Sequence, residues 1–216
     1  NVPTPTESKV VKRQILRNTA GQALVYYVDV ETTDLTSDNF SSTRTDVQLN
    51  IQTATAGTMA HALVEAHLNK RELPKLEGDP VVIGKAQSAF QTFKDWLKTT
   101  KMEFVHNEVS LASAKHRFGG TLDAIGMLNG KRVLVDFKTS NALYADYLYQ
   151  IAAYHMLWTE NYPETPIDGG FHLARFAKDG GDFTHSFFPN LDEEAKTFLL
   201  MRDLYDMVKK VEKRVR

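Results

Sequence analysis

An acid and a base lie two positions apart in the apolar segment "VLVDFKTS" (residues 133–140). The odd-numbered positions from 133 to 137 are apolar, whereas Asp136 and Lys138 occupy even-numbered positions. This alternation predicts a β-strand with two different faces, so the carboxylate and the ammonium point the same way. Such a pair could act together on a cation and a phosphate oxygen, or it could be a simple surface salt bridge.

A second carboxylate, Asp123, belongs to the preceding strand-like segment. Asn129-Gly130 stands between the two segments and is a strong signal for a two-residue β-hairpin turn. In a regular hairpin Asp123 and Asp136 are cross-strand neighbours, with Cβ atoms about 5 Å apart. Two carboxylates this close stay ionised only with a cation between them. Hard oxygen ligands select magnesium or manganese rather than zinc.

Further residues have types and positions that suit such a site. His61 and Glu65 are four residues apart in a predicted helix and therefore lie on the same face. They could bind the metal directly, or they could hold the side chains that bind it. Glu108, on the strand before the hairpin, could supply another carboxylate. Gln150 and Tyr154 are also four apart on a helix, within an apolar stripe. A buried glutamine needs a partner, and this one could position a lysine, a water or a phosphate.

The elements that must position these residues can be predicted along the chain. Residues 1–8 are interpreted as a loose tail, residues 9–18 are compatible with a helix, and residues 29–50 are interpreted as a long loop. Later segments predict helices at 59–68, from Pro80 to 99, at 144–161 and from Asp192 (as N-cap) to about 210. They also predict strands at 104–113, 118–128, 131–139, 169–178 and 182–189. This order predicts an α/β (α+β) fold with a mixed central β-sheet flanked by helices, in which the three central strands form an antiparallel meander.

Composition narrows the class of protein. The 216 residues include no cysteine, which excludes disulfides, thiolate zinc sites and iron–sulfur clusters. No apolar run approaches the roughly 18 residues that a membrane span requires, and the first residues lack the pattern of a signal peptide, so we expect a soluble intracellular protein. The net charge of −1 argues weakly against bulk nucleic-acid binding.

Taken together, "GTMAHALVEAHL", "GGTLDAIG", "LVDFKTS" and "YQIAAYHML" resemble the PD-(D/E)XK nuclease superfamily. The resemblance is to its RecB-like branch, which includes phage exonucleases and mitochondrial genome-maintenance exonucleases, and covers roughly residues 55–190. The residues that match the family pattern in type, order and spacing are His61, Asp123, Asp136, Lys138, Gln150 and Tyr154.

The resemblance implies a restriction-endonuclease-like core at residues 55–216, preceded by an N-terminal extension of residues 1–54. It implies hydrolysis of DNA phosphodiester bonds with Mg²⁺ or Mn²⁺, and favours an exonuclease acting on DNA ends or single strands in replication, recombination or repair. The cell compartment it suggests is the cytoplasm of a bacterial or phage-infected cell. Some relatives carry a four-cysteine iron–sulfur cluster, which this chain cannot hold.

The resemblance also implies roles for the site residues. Asp123, Asp136 and His61 would hold one or two cations together with the backbone carbonyl of Phe137, with Glu65 and Glu108 as further candidates. Lys138 would orient or deprotonate the attacking water, and Gln150 and Tyr154 would position the phosphate or Lys138.

Two alternatives remain at this point. A non-catalytic nucleic-acid-binding module could keep the fold, although such modules normally lose the equivalent of Asp136 or Lys138. A magnesium-dependent enzyme acting on a small phosphorylated molecule would need a glycine-rich phosphate loop, and the sequence shows none of the usual kind. Endonuclease action, strand polarity, preference for single strands, RNA as substrate and oligomeric state stay open.

Overall fold

Seven strands and four helices make up the described part of the chain. The structure, a computed structural model, describes residues 10–17, 23–30, 56–140, 142–178 and 181–215. In chain order the elements are β1 (Val10–Arg17), β2 (Ala23–Val30), α1 (Ala56–Leu68), α2 (Pro80–Thr99), β3 (Glu103–Ser113), β4 (Phe118–Leu128), β5 (Lys131–Lys138), α3 (Ala145–Asn161), β6 (Phe171–Phe176), β7 (Phe183–Phe188) and α4 (Asp192–Glu212).

The strands form one mixed sheet. Its order is β1-β2-β4-β5-β6-β7, with β3 paired to β4. The β5–β6 pair is parallel, and the other pairs are antiparallel. The predicted meander of β3, β4 and β5 is confirmed, as is the turn at Asn129-Gly130, because Leu128 pairs with Lys131. The predicted fold class, a mixed sheet flanked by helices, is therefore confirmed.

One edge of β4 is shared by two different strands. β3 follows the opposite edge along nearly its whole length. On the shared edge, β2 pairs only with Phe118 and Gly119, and β5 pairs from Ala124 onward. The sheet therefore opens into a fork beside residues 120–123, and the carboxyl end of β5 leaves β4 at the same place.

The helices cover both faces of the sheet. Helices α1 and α2 share one apolar core with Val133, Val135 and Phe137 of β5, whereas α3 and α4 share the other with Leu134. This division follows from the alternation of β5, which sends successive side chains to opposite faces. Among the described helices, none combines the length and the apolar character needed to cross a membrane.

Helix α2 shows how local sequence sets a boundary. Asp79 accepts a hydrogen bond from the Val81 backbone N–H at 2.8 Å, and Pro80 occupies the first turn. A capping carboxylate satisfies an amide that has no partner within the helix, and proline at this position gives up no helical hydrogen bond. The start of the helix at Pro80 is thus a local property, and the prediction of its position is confirmed.

Two predictions about elements are wrong. Residues 10–17 form strand β1 rather than a helix, because they pair with β2 in an antiparallel hairpin. Pairing with a neighbouring strand overrides weak local helix propensity. Helix α4 begins with Asp192 as its first residue and has Leu191 as N-cap, without a side-chain capping bond. An acid in the first turn is also favourable, since it lies near the positive end of the helix dipole.

Three further predictions are not tested by this structure. The tail at residues 1–8 lies outside the described residues, as does most of the segment predicted to be a long loop, whose first two residues end β2. The division of the chain into residues 1–54 and 55–216 also stays a prediction.

Candidate active site

Asp123 and Phe137 meet at the fork in the sheet. One carboxylate oxygen of Asp123, Oδ2, accepts a hydrogen bond from the Phe137 backbone N–H at 2.7 Å. The N–H and C=O of one residue in a strand point to the same side, so the Phe137 carbonyl also faces the fork. The side chain of Asp123 thus takes the place of the backbone hydrogen bond that β4 would otherwise make to β5. A carboxylate oxygen of Asp123 and the backbone carbonyl oxygen of Phe137 both lie at the opening of the fork.

Asp136 is a buried carboxylate whose charge is only partly compensated. Its side chain is 1% exposed, and the Lys138 Nζ lies 2.6 Å from its Oδ2. Among the described residues no donor in hydrogen-bond geometry reaches either oxygen, so the contact of Oδ2 with Lys138 is an ion pair. Burial raises the pKa of Asp136 to about 6, and the neighbouring charge of Asp123 acts in the same direction, whereas Lys138 and His61 lower it. An acceptor oxygen left without a donor in the interior suits a bound cation.

Lys138 is held from three sides. Besides Asp136, its Nζ donates to the Gln150 Oε1 at 2.7 Å and lies 4.8 Å from the centre of the Tyr147 ring. The Gln150 Nε2 in turn donates to the Tyr154 hydroxyl at 2.6 Å. The shared face predicted for Gln150 and Tyr154 is therefore present, and the chain of hydrogen bonds ends on the lysine.

Tyr154 stays a neutral hydrogen-bonding group in this setting. Burial raises its pKa well above the ordinary value, and the charges of Asp136 and Asp123 raise it further, although the Gln150 hydrogen bond acts the other way. A hydroxyl that cannot ionise at neutral pH adds no negative charge beside the two carboxylates. Its part is to hold the Gln150 amide, which in turn holds Lys138.

His61 and Glu108 approach Asp123 from two sides. The His61 Nδ1, on α1, lies 3.9 Å from the Asp123 Oδ1. Glu108 stands between Asn107 and Val109, which pair with the two neighbours of Asp123 on β4, so the strand register places Glu108 opposite Asp123. Its backbone φ of 55° lies in the left-handed region, which is uncommon for a residue other than glycine and occurs often at functional sites.

Glu65 makes a different contact from the one its spacing suggested. Its Oε1 accepts a hydrogen bond from the Arg71 guanidinium at 2.5 Å, within an ion pair just beyond the end of α1. A role for Glu65 as a metal ligand stays a prediction. In the part of the chain that the structure describes, no three histidine, aspartate or glutamate side chains are gathered into a complete metal cluster.

Sequence reasoning assigned no role to two residues that lie near the site. A Cβ added at Gly120 would lie 2.6 Å from the Tyr154 Cε1, so only glycine lets the tyrosine ring pack this close to β4. Arg175 pairs with Lys138 in the β5–β6 register and donates to the Ser140 carbonyl at 3.3 Å. The sequence features that could have identified them are a glycine within a predicted strand, for Gly120, and a positive charge within a mainly apolar predicted strand, for Arg175.

Comparison with known proteins adds little to this geometry. No protein-family model and no curated protein matches the chain. Seventeen chains of solved structures resemble it. One is a protein from Eubacterium rectale named "Putative exonuclease", with a TM-score of 0.46 and 13% sequence identity. The match covers 70% of this chain and 65% of the Eubacterium rectale chain, so this chain spans less than two thirds of that protein's length. Another is the protein SSO0001, with a TM-score of 0.34 and 14% identity over 68% of this chain and 72% of that one. At these scores the function has to be argued from the site itself.

Proposed function

We propose that this chain is a metal-dependent deoxyribonuclease that hydrolyses DNA phosphodiester bonds. The observation that carries the proposal is Asp136, a buried carboxylate that is paired by charge with Lys138 but has no donor in hydrogen-bond geometry at either oxygen among the described residues. A structural ion pair would be expected to satisfy both oxygens of a carboxylate this deeply buried. A site that takes up a cation requires an oxygen that no protein donor occupies.

The oxygens around the fork fit magnesium or manganese. Asp136, Asp123 and the Phe137 carbonyl are hard donors, which these ions prefer, and His61 lies on the far side of Asp123. These residues would hold one or two ions, with Glu108 as a further candidate. When bound, the metal would lower the pKa of a coordinated water and neutralise charge on the scissile phosphate.

Lys138 supplies the protein's own positive charge next to that place. Gln150 and Tyr147 fix the position of its Nζ, so it can donate to a phosphate oxygen or orient a water without first changing its rotamer. Because charge builds on the phosphate during reaction, a donor fixed here contributes more to the transition state than to substrate binding.

The finer part of the proposal rests on the motifs. The PD-(D/E)XK pattern of the RecB-like branch supports an exonuclease acting on DNA ends or single strands in replication, recombination or repair. Reading a particular base sequence would require side chains directed into a DNA groove, and the sequence marks no such element.

Three substrates test this proposal: an end-labelled linear duplex, a closed circular duplex and a single strand, each with Mg²⁺, Mn²⁺, Ca²⁺ or excess chelator. We expect release of nucleotides from the linear DNA or the single strand with Mg²⁺ or Mn²⁺, and binding without hydrolysis with Ca²⁺, which is larger and activates water poorly. Hydrolysis in chelator would contradict the metal dependence. Binding without hydrolysis under every condition would favour the non-catalytic module.

Variants of two lysines on β5 test the assignment of residues. Lys138→Ala should lower kcat by about 100-fold or more, the usual cost of removing one donor to developing charge, with little change in DNA affinity. Lys131→Ala is the matched control, because Lys131 is exposed at the other end of the same strand. Near-normal turnover in folded Lys138→Ala would overturn the assignment.

A further inference from the structure

Helix α4 has an apolar face on each of two opposite sides. Its inner side buries Phe198 against the core that it shares with α3. On the outer side, five apolar residues between 45% and 70% exposed lie at positions 200, 204, 207, 208 and 211. Steps of three, four and seven residues place them in one stripe along the helix. A contiguous exposed stripe of this kind marks a surface that binds another protein or a membrane.

The charges along α4 indicate what binds there. Two exposed residues of opposite charge, Asp203 and Lys210, flank the stripe on the same side of the helix, seven residues apart. A second copy of this helix running in the opposite direction, with its stripe against the first, would bring Lys210 of each copy beside Asp203 of the other. The two helix dipoles would also be antiparallel, which is favourable. An anionic membrane or nucleic-acid surface would instead meet the carboxylate of Asp203 beside the stripe.

We propose that the chain forms a homodimer in which the outer stripes of two α4 helices pack antiparallel about a twofold axis. In such an interface each residue near the axis meets its own copy. The centre of the stripe places Met207 near the axis. It also brings Asp203 of one copy opposite Lys210 of the other, because these two exposed residues are seven apart and lie on the same side of the stripe. This interface does not depend on the proposed nuclease activity.

The size of the stripe sets the expected affinity. One pair of helices buries less surface than the roughly 1,600 Å² of a standard stable interface, so we expect a dissociation constant of about 1–100 µM. Sedimentation equilibrium from about 1 to 300 µM protein covers this range. The wild-type chain should pass from monomer to dimer across it.

Charge reversal tests the antiparallel register. Asp203→Lys and Lys210→Asp should each weaken the dimer by about tenfold, because like charges then face each other, and the double variant should regain most of the affinity. Lys213→Asp, off the stripe on the same helix, is the control and should leave the dimer unchanged. Leu204→Asp should leave a folded monomer. A dimer that survives Leu204→Asp, or a double variant no better than the singles, would overturn the proposal.

Cysteine cross-linking tests the position of the axis, since the chain has no cysteine of its own. Met207→Cys should form an intermolecular disulfide with its own copy under copper phenanthroline oxidation. Leu200→Cys is exposed on the same stripe but lies about two turns from the axis, so it should not. Equal cross-linking of both variants would contradict the register.

A wild-type monomer at every concentration would overturn the proposal, and thiol labelling of the Met207→Cys variant would then show why. Slow labelling of the introduced thiol would indicate that another segment of the chain covers the stripe. Rapid labelling would indicate that the stripe is open and takes a different partner.

Discussion

Replacing Asp136 by asparagine should make the metal-free protein more stable while it removes activity. The carboxylate is buried, and its pKa of about 6 in the folded chain, against an ordinary value of 3.8, shows that the fold disfavours its charge. Asparagine keeps nearly the same shape without the charge. A site that gathers negative charge for a cation is expected to lower stability in this way when the cation is removed.

The magnitude follows from the shift in pKa. A difference of about two units corresponds to about 3 kcal/mol in the free energy of unfolding. The folded chain keeps its proton to higher pH than the unfolded chain does, so stability falls as the pH rises from about 4 to about 6, and the full cost is present above pH 6. At pH 7.5 Asp136→Asn should therefore gain up to about 3 kcal/mol, or roughly 6–12 °C in Tm. The loss of the contact between Lys138 and the carboxylate reduces this gain.

Urea unfolding in excess chelator at pH 7.5 and pH 4.5 measures the effect. The gain should be present at pH 7.5 and largely absent at pH 4.5, and the exposed Asp182→Asn variant should show neither. Millimolar Mg²⁺ should then stabilise the wild-type chain but not Asp136→Asn, because only the wild type keeps the ligand. An Asp136→Asn variant that is less stable than wild type at pH 7.5, or equally stabilised by Mg²⁺, would refute the reasoning.

Three other positions, Gly120, Gly84 and His172, give predictions about the stability of the fold. Gly120→Ala should displace the Tyr154 ring, lower turnover and destabilise the fold by about 1–3 kcal/mol. Gly84→Ala should instead stabilise the fold by up to about 1 kcal/mol, because a Cβ at this position of α2 meets nothing within 4 Å. Urea unfolding and nuclease rates of both variants measure these effects. Burial and the neighbouring His185 lower the pKa of His172 from 6.5 to about 4. The unfolded chain therefore takes up this proton first, so the contribution of His172 is complete above about pH 6.5 and declines by up to about 3 kcal/mol toward pH 4. A His172→Gln variant with the same dependence of stability on pH as wild type would contradict this assignment.

The local features of the site could be predicted from the amino-acid sequence. The alternation around Asp136 and Lys138 was enough to place both on one face, and the structure brings them within 2.6 Å. The Asn129-Gly130 turn was enough to set the register of β4 on β5. The four-residue spacing of Gln150 and Tyr154 placed them on one face, where the structure joins them by a hydrogen bond. Each of these follows from the geometry of a single element or a single tight turn, which neighbouring residues dictate.

The way these parts combine depends on contacts between residues that are far apart in the sequence. The fork in the sheet exists because β2 and β5, which are far apart in the chain, pair with different parts of the same edge of β4. No local sequence pattern predicts that these two strands share an edge. The same long-range sheet made residues 10–17 a strand. The close contact of Gly120 with the Tyr154 ring depends on how β4 and α3 pack. Contacts of this kind depend on three-dimensional packing, which periodicity along the chain does not record.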